Sequence, residues 1–492
     1  MYMKSFNAII VRFENDAAYG AIKKLMKDVS FDFCGTITSD RRTYDKVDAG
    51  KQPWFASSFV RGCQYDGVDF NELAPVDEEL VEQMRDCEAI FMHMVSRTEV
   101  ARLVPFTERK RMYLKHLRFW NDFIERHNIN LFVSAWMPHE VPDYIIYRLC
   151  KLKGIPTLVF HITSLKNYMY IMSDVGEYDP KLGIRYKTLL GEYEGKSDDE
   201  IKLCEQFEDY IETQSLEGGK MPFTEWPKPP NILIRWMRIF LKNPLGTTMF
   251  VLKFFAGFLS VHKWRRRIQK WQGNRTIVRL SNFYHANAIT PDLNAKFIYI
   301  PLHYQPEATT CPMAGGFGDQ LLIVTLLAQC LPDDVLLYVK EHPKQAARGH
   351  ACRNIQYYKD LLDIKNVRLV DTAADSFELR EHCQAIATSA GTAGFEAIFR
   401  GKPVFMFGHY FYQYAPGVYP IHTQEDCQKA VEDVFEKGNK PTLRQCRIFL
   451  KAVEDTAVRS ALCYHHQMVC DLSEEEITNN TAALLLEEIG KL

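Results

Sequence analysis

Short apolar runs of strand length alternate with longer stretches of helical spacing through most of this chain. In the first 200 residues the runs Phe6–Phe13, Ile90–Met94, Leu131–Ser134 and Thr157–His161 predict strands. Between the last two, Val141–Lys153 carries its apolar residues at amphipathic-helix spacing, and Gly154 supplies a stop. Strand, helix, Gly-Ile-Pro, strand is a βαβ unit, which predicts a parallel sheet. Asp174–Glu225 is polar and acid-rich with no clear period, and reads as helical excursions and loop.

The pattern is cleaner in the second half. Strands are expected at Phe297–Pro301, Val335–Lys340, Val367–Val370, Ala385–Thr388 and Pro403–Phe407. Helices are expected at Asp319–Cys330, Arg353–Asp363, Ser376–Glu381 and Ala393–Phe399. Five strands alternating with helices through short turns describe a doubly wound parallel sheet. The tail, Gln424–Leu492, reads as all-helical and is expected to pack back across the domain junction. The fold class is therefore α/β, with two Rossmann-like domains: 1–200 and 291–425, a helical insertion over 201–290, and a helical tail over 426–492.

Composition adjusts this picture in three places. A length of 492 residues favours two cores over one, and 47% apolar with 25% charged residues is ordinary globular chemistry. A formal net charge of −2 gives the whole molecule no electrostatic reason to seek nucleic acid. The 13 cysteines are dispersed, without a CxxC pair or zinc spacing, which suits a reducing compartment. The opening MYMKSFNAIIVRF reads as a strand rather than a signal peptide, and no long uncharged apolar stretch predicts a membrane span. A cytoplasmic protein is expected, held at most peripherally at the inner face of the membrane.

The insertion stands apart. Trp226–Pro291 contains no acidic residue and twelve Lys or Arg, interleaved with aromatics such as Trp236, Phe240, Phe250, Phe254, Phe255 and Phe258. It reads as two helices, one of interfacial character, that dock an anionic membrane surface or an anionic acceptor. Each Lys or Arg near an anionic leaflet contributes roughly 1 kcal/mol. The plain alternative is that the phenylalanines are core and the arginines solvated.

Candidate chemistry gathers at strand ends, where doubly wound sheets bind ligands. After the strand ending at Lys340 comes Glu341-His342-Pro343. Lys340 and His342 can donate to phosphate, with Pro343 fixing the turn. Thr388-Ser389-Ala390-Gly391-Thr392-Ala393-Gly394-Phe395-Glu396 follows another strand and opens a helix. Its small residues admit an anion to the backbone, its hydroxyls donate, and Glu396 is placed to meet a ribose. A third loop, His303–Thr310, holds Gln305 toward the donor and Glu307 as a candidate catalytic carboxylate. In the first domain, Pro138-His139-Glu140 follows a strand, and either His139 or Glu140 can serve as general base for an acceptor hydroxyl. Surface loops and ordinary capped helix starts are the alternatives for each.

Lys340–Pro343, the Ser389–Glu396 turn, and Gly401-Lys402-Pro403-Val404 followed by Gly408 resemble the capsular polysaccharide biosynthesis glycosyltransferases. That group includes the Kdo transferases of capsule assembly and is distantly similar to bacterial sialyltransferases with a His-Pro motif. The resemblance runs from about Lys296 to Tyr414 and more weakly through Leu131–Phe160. It implies a GT-B type fold with the nucleotide on the C-terminal domain and the acceptor mainly on the N-terminal one. It also implies His342 on donor phosphate, and Ser389, Thr392 and Glu396 against phosphate and ribose. The His303 loop carries Gln305 and Glu307 where a Gln-then-Asp arrangement belongs, so the donor sugar stays open.

No metal motif of the Asp-x-Asp kind stands at a strand end, so no metal or cofactor is expected. The leaving nucleotide's charge would fall to Lys340, His342 and helix amides. The expected activity is transfer from a CMP-, UDP- or GDP-linked sugar to a surface-polysaccharide or lipid-linked glycan. The alternatives are a non-hydrolysing nucleotide-sugar 2-epimerase and a non-catalytic glycan- or membrane-binding assembly protein.

Overall fold

The computed structural model describes residues 5–98, 104–176, 180–215, 275–345 and 353–492. The basic aromatic segment, 226–291, lies outside them except for 275–291, of which 275–287 is helical.

Two sheets organise these residues. The first contains β1 (Ser5–Val11), β2 (Ser30–Thr38), β3 (Trp54–Ala56), β4 (Leu131–Ser134), β5 (Thr157–Ile162), β6 (Tyr168–Met172) and β13 (Val458–Arg459). The second contains β7 (Phe297–Pro301), β8 (Leu336–Lys340), β9 (Val367–Val370), β10 (Ala385–Thr388), β11 (Val404–Met406) and β12 (Val418–Pro420). In the second sheet the order β9-β8-β7-β10-β11-β12 is parallel throughout. It is the strand order of a doubly wound dinucleotide fold, and its direction of winding reverses between β7 and β10. The first sheet runs β3-β2-β1-β4-β5 in parallel, reverses between β1 and β4, and adds β6 and β13 antiparallel. The two Rossmann-like domains expected from the sequence are present.

Three sequence expectations need correction. Ile90–Met94 is the end of the helix Arg85–Met94, which buries Cys87, Phe91 and Met94. Those positions fall on one helical face, a period that the crowding of apolar residues at the end of the segment obscures. The second sheet has six strands rather than five, because Val418–Pro420 adds an edge beside β11. The tail is not wholly helical: Val458–Arg459 pairs with Tyr168 and Met169 and extends the first sheet.

That tail crosses back as expected. The helix Leu443–Thr456, opened by a Thr442/Gln445 capping box, buries Phe449 between Tyr186 of the first domain and Phe395 of the second. The helix Glu474–Ile489 then lies on Asp16–Leu25. There Thr478 donates to the Ala17 carbonyl at 3.0 Å, and a Cβ at Gly20 would sit 3.2 Å from Thr478 Oγ1. The last helix of the chain thus completes the core of the first domain.

Candidate functional site at the strand ends

The reversal between β7 and β10 brings the loops after these strands together. His303, two residues beyond β7, is fixed from behind by Gln320, whose Oε1 accepts the His303 N–H at 2.7 Å. Its ring Nε2 lies 2.8 Å from Thr388 Oγ1 and accepts the Ser389 N–H at 3.2 Å. Nε2 is therefore the acceptor and Nδ1 carries the proton. Burial lowers the imidazole to about 4, with His342 and Arg353 adding to the effect, so His303 is neutral near pH 7. Gly391 is required here, because a Cβ would come within 2.6 Å of His303 Cε1 and 2.9 Å of Thr388 Oγ1. Gly408, beyond β11, admits the backbone carbonyls of Ser389 and Met313 at 2.9 and 3.0 Å from where its Cβ would be. Ser389 is fully buried, and its hydroxyl meets no hydrogen-bond partner among the described residues. Thr392, the first residue of the helix Thr392–Ile398, is exposed.

Beyond β8, His342 Nδ1 accepts the Lys344 N–H at 3.2 Å, which puts the ring proton on Nε2 and makes that edge a donor. Burial lowers its pKa. Glu341 anchors this turn from inside. It accepts the His342 N–H at 2.8 Å, pairs with Arg353 at 2.7 Å and accepts from Tyr358 at 2.7 Å. Arg353 also donates to the Gln305 side chain, and the Gln305 N–H donates to Gln345 at 2.7 Å. One buried guanidinium therefore ties the turn after β8 to the loop after β7.

Several expected roles are reassigned by this geometry. Lys340 is engaged by the protein itself: its ammonium donates to the Ala374 carbonyl at 2.6 Å and to Ser376 Oγ at 2.7 Å, holding the loop after β9. Glu396 lies in the second turn of its helix, buried against Arg380 at 2.7 Å, where burial raises its carboxyl to about 7. Its packing role displaces the ribose role. Gln305 is buried among Gly318, Gln345 and Arg353 and supports its loop. Glu307 is exposed, and its main-chain carbonyl accepts the Cys311 N–H at 2.9 Å.

The first domain presents its own reversal point, between β1 and β4. Arg12, directly after β1, adopts φ 63 and pairs with buried Asp143 at 2.8 Å. Glu140 lies 2.9 Å from Arg61 and 4.0 Å from Arg12, so it is neutralised by cations rather than poised as a base. His139 stands differently. Its Nδ1 donates to the Met137 carbonyl at 2.7 Å, leaving the Nε2 lone pair available. Burial lowers its pKa well below the usual value, and Arg97 and Arg12 push the same way. Arg97 also reaches the second domain through the Cys311 carbonyl, while His161 packs edge-on against Tyr410 at 5.3 Å. His303, Arg353, Arg12 and Arg97 were not singled out from the sequence. Arg12 and His303 follow strands and obey the rule that picked out His139, whereas Arg353 and Arg97 act through contacts distant in sequence.

Among the described residues no group of three His, Cys, Asp or Glu could hold a metal, and no helix is long and apolar enough to cross a membrane. Residues 310–433 match the family model described as capsule polysaccharide biosynthesis protein. No curated protein sequence matches the chain. Among solved structures it is similar to Thermosulfurimonas dismutans KpsC, a beta Kdo 2,7 transferase, at 11% identity over 80% of this chain and 96% of that one, TM-score 0.30. It is similar to the UDP-GlcNAc 2-epimerase of Methanocaldococcus jannaschii at 10% identity over 92% and 100%, TM-score 0.25. A glycosyltransferase from Rickettsia africae aligns at 9% identity over 99% of both chains, TM-score 0.26. Likenesses this weak carry nothing about chemistry, so the sequence match is the informative one. The segment matched to the capsule polysaccharide biosynthesis family, residues 310–433, holds the turns after β8 and β10.

Proposed function

We propose that the protein transfers a sugar from a nucleotide-activated donor to a hydroxyl of a surface-polysaccharide or lipid-linked glycan, without a metal. The observation that carries this reading is the reversal point of the second sheet. There His303, the buried Ser389 hydroxyl and Gly391 converge inside or beside the capsule-family segment. The donor's phosphate lies against Ser389, Gly391 and Thr392, with the Nε2–H of His342 donating to it. The bond from the anomeric carbon to the phosphate oxygen breaks, and the acceptor oxygen bonds to that carbon. The acceptor's proton passes to Nε2 of His139, which its tautomer and low pKa keep unprotonated. The basic segment 226–291 is assigned to an anionic membrane surface or acceptor.

A thermal-shift panel of CMP, UDP, GDP and CDP, with and without magnesium, tests the donor site. A nucleotide at 100 times its dissociation constant adds roughly 2.7 kcal/mol. Selective stabilisation by CMP without metal indicates an acidic nine- or eight-carbon donor sugar of the sialic-acid or Kdo type; UDP or GDP selectivity indicates another donor class. Absence of any shift, with His342→Ala also without effect, overturns the reading. His139→Ala is expected to reduce transfer by about 10²–10⁴-fold while nucleotide binding persists. Isomerisation of the nucleotide sugar with no acceptor present would instead establish an epimerase.

A further inference from the structure

A concavity of about 460 Å³ is lined by residues of both domains. None of His139, His303, His342, Ser389 or Gly391 lines it. One wall comes from the helices Arg85–Met94 and Val141–Leu152, through Asp86, His93, Tyr144, Tyr147 and Arg148. The other comes from the 312–319 turn and His409 of the second domain, and Asp174–Gly176 closes one end.

Its polar groups are unevenly satisfied. Tyr147 OH accepts the Val175 N–H at 3.0 Å and donates to Asp174 at 3.3 Å, and Asp174 also pairs with Lys151 at 2.9 Å. Arg148 differs: the groups acting on its guanidinium are Tyr144, Cys87 and Tyr147, and no carboxylate among the described residues pairs with it. A half-buried cation beside two tyrosine rings, lacking an anion, is an arrangement in want of one. The facing wall is equally suggestive. Gly316 has no left-handed φ, and a Cβ there would meet nothing within 4 Å, so neither backbone conformation nor protein packing demands glycine. A bare backbone facing open space lets a ligand approach its amide closely.

We propose that this cleft binds an acidic sugar unit of the acceptor chain. The sugar's carboxylate lies on Arg148, its ring face against Tyr144 and Tyr147, and its hydroxyls on Asp174, His409 and the Gly315-Gly316 backbone. The volume is within the range of small-ligand sites. Because both domains line the cleft, an occupied site spans the junction. The inference rests on the transferase reading for the identity of its ligand as acceptor, but its test is separable.

The probes are the unsaturated hyaluronan disaccharide, which carries one uronic acid, and chitobiose, which is neutral. Binding to the full chain is followed by calorimetry without nucleotide. The acidic disaccharide is expected to bind at least tenfold tighter than chitobiose. Arg148→Gln should remove that preference, and Gly316→Leu should weaken both sugars with little loss of Tm, since its side chain enters open space. In both variants the nucleotide-induced thermal shift should persist. Equal binding of the two sugars, or an unaltered preference in Arg148→Gln, overturns the acidic-sugar site even if nucleotides bind. Disaccharide preference without any nucleotide response would sustain the site and overturn the transferase reading.

Discussion

At the scale of single residues, the candidate site depends on what a position excludes as much as on what it offers. Gly391 offers no side chain, yet it lets His303 reach Thr388 and Ser389. Gly391→Ala places a methyl 2.6 Å from His303 Cε1, so the imidazole must leave its pocket. The expected outcome is loss of the nucleotide-induced thermal shift with a smaller fall in the Tm of the free protein. Retention of full nucleotide binding would show that His303 is remote from the donor. The sequence signalled this turn through its small residues and hydroxyls. It gave no sign that Lys340 would turn toward Ser376, or that Glu396 would be spent on Arg380. Those partners arrive from the neighbouring loop after β9 and the helix Ser376–His382, and a strand-end rule locates a residue without fixing its side chain's direction.

Elements were legible where their burial pattern is simple. Val367–Val370, at the edge of the second sheet, and Ala385–Thr388, in its middle, are short apolar strands bounded by turns, and their expected limits match those in the structure. β2 was missed because Ser30–Thr38 mixes Asp32, Gly35 and three hydroxyl residues into a strand whose partners lie on both sides. β6 was missed because it directly follows β5 as a hairpin partner and breaks the alternation of strand with helix. The loops between elements are governed by Arg353, which no local pattern marks. Its pair with Glu341 is buried, with side-chain exposures of 1% and 6%. Leaving Glu341 without its cation should cost about 3–5 kcal/mol. Arg353→Met is accordingly expected to lower stability by that amount in denaturant titrations. It should also abolish nucleotide binding, because the loops after β7 and β8 lose their common tie. Adding Glu341→Gln should recover part of the stability, and a strictly additive double mutant would show that the two side chains do not act as a pair.

For the whole molecule, buried histidines set the response to acid. Burial lowers His116 and His161 to about 3, and His303 and His466 to about 4. The unfolded chain protonates these rings near pH 6.5, so below that pH it binds more protons than the folded one. Stability is complete above about 6.5 and falls as the pH drops toward 4. Glu396 works in the opposite sense: raised to about 7, it makes the folded form lose stability between about pH 4.5 and 7 as the pH rises. One carboxyl against four imidazoles leaves the acid side weaker. Thermal melts are expected to be nearly level from pH 8 to 7 and to shift down steadily from 6.5 to 5; an unchanged Tm over that lower interval would contradict the burial of these rings as functional neutrals.

The crossing of the last helix onto the first domain has a consequence for how the protein is made. Because β13 and Glu474–Ile489 complete a sheet and core begun at Ser5, a ribosome that has synthesised the entire second domain still holds an unfinished first one. The domain that starts first is closed only after the second has been made. The apolar face of Asp16–Leu25 stays open to the surroundings until Glu474–Ile489 has been synthesised.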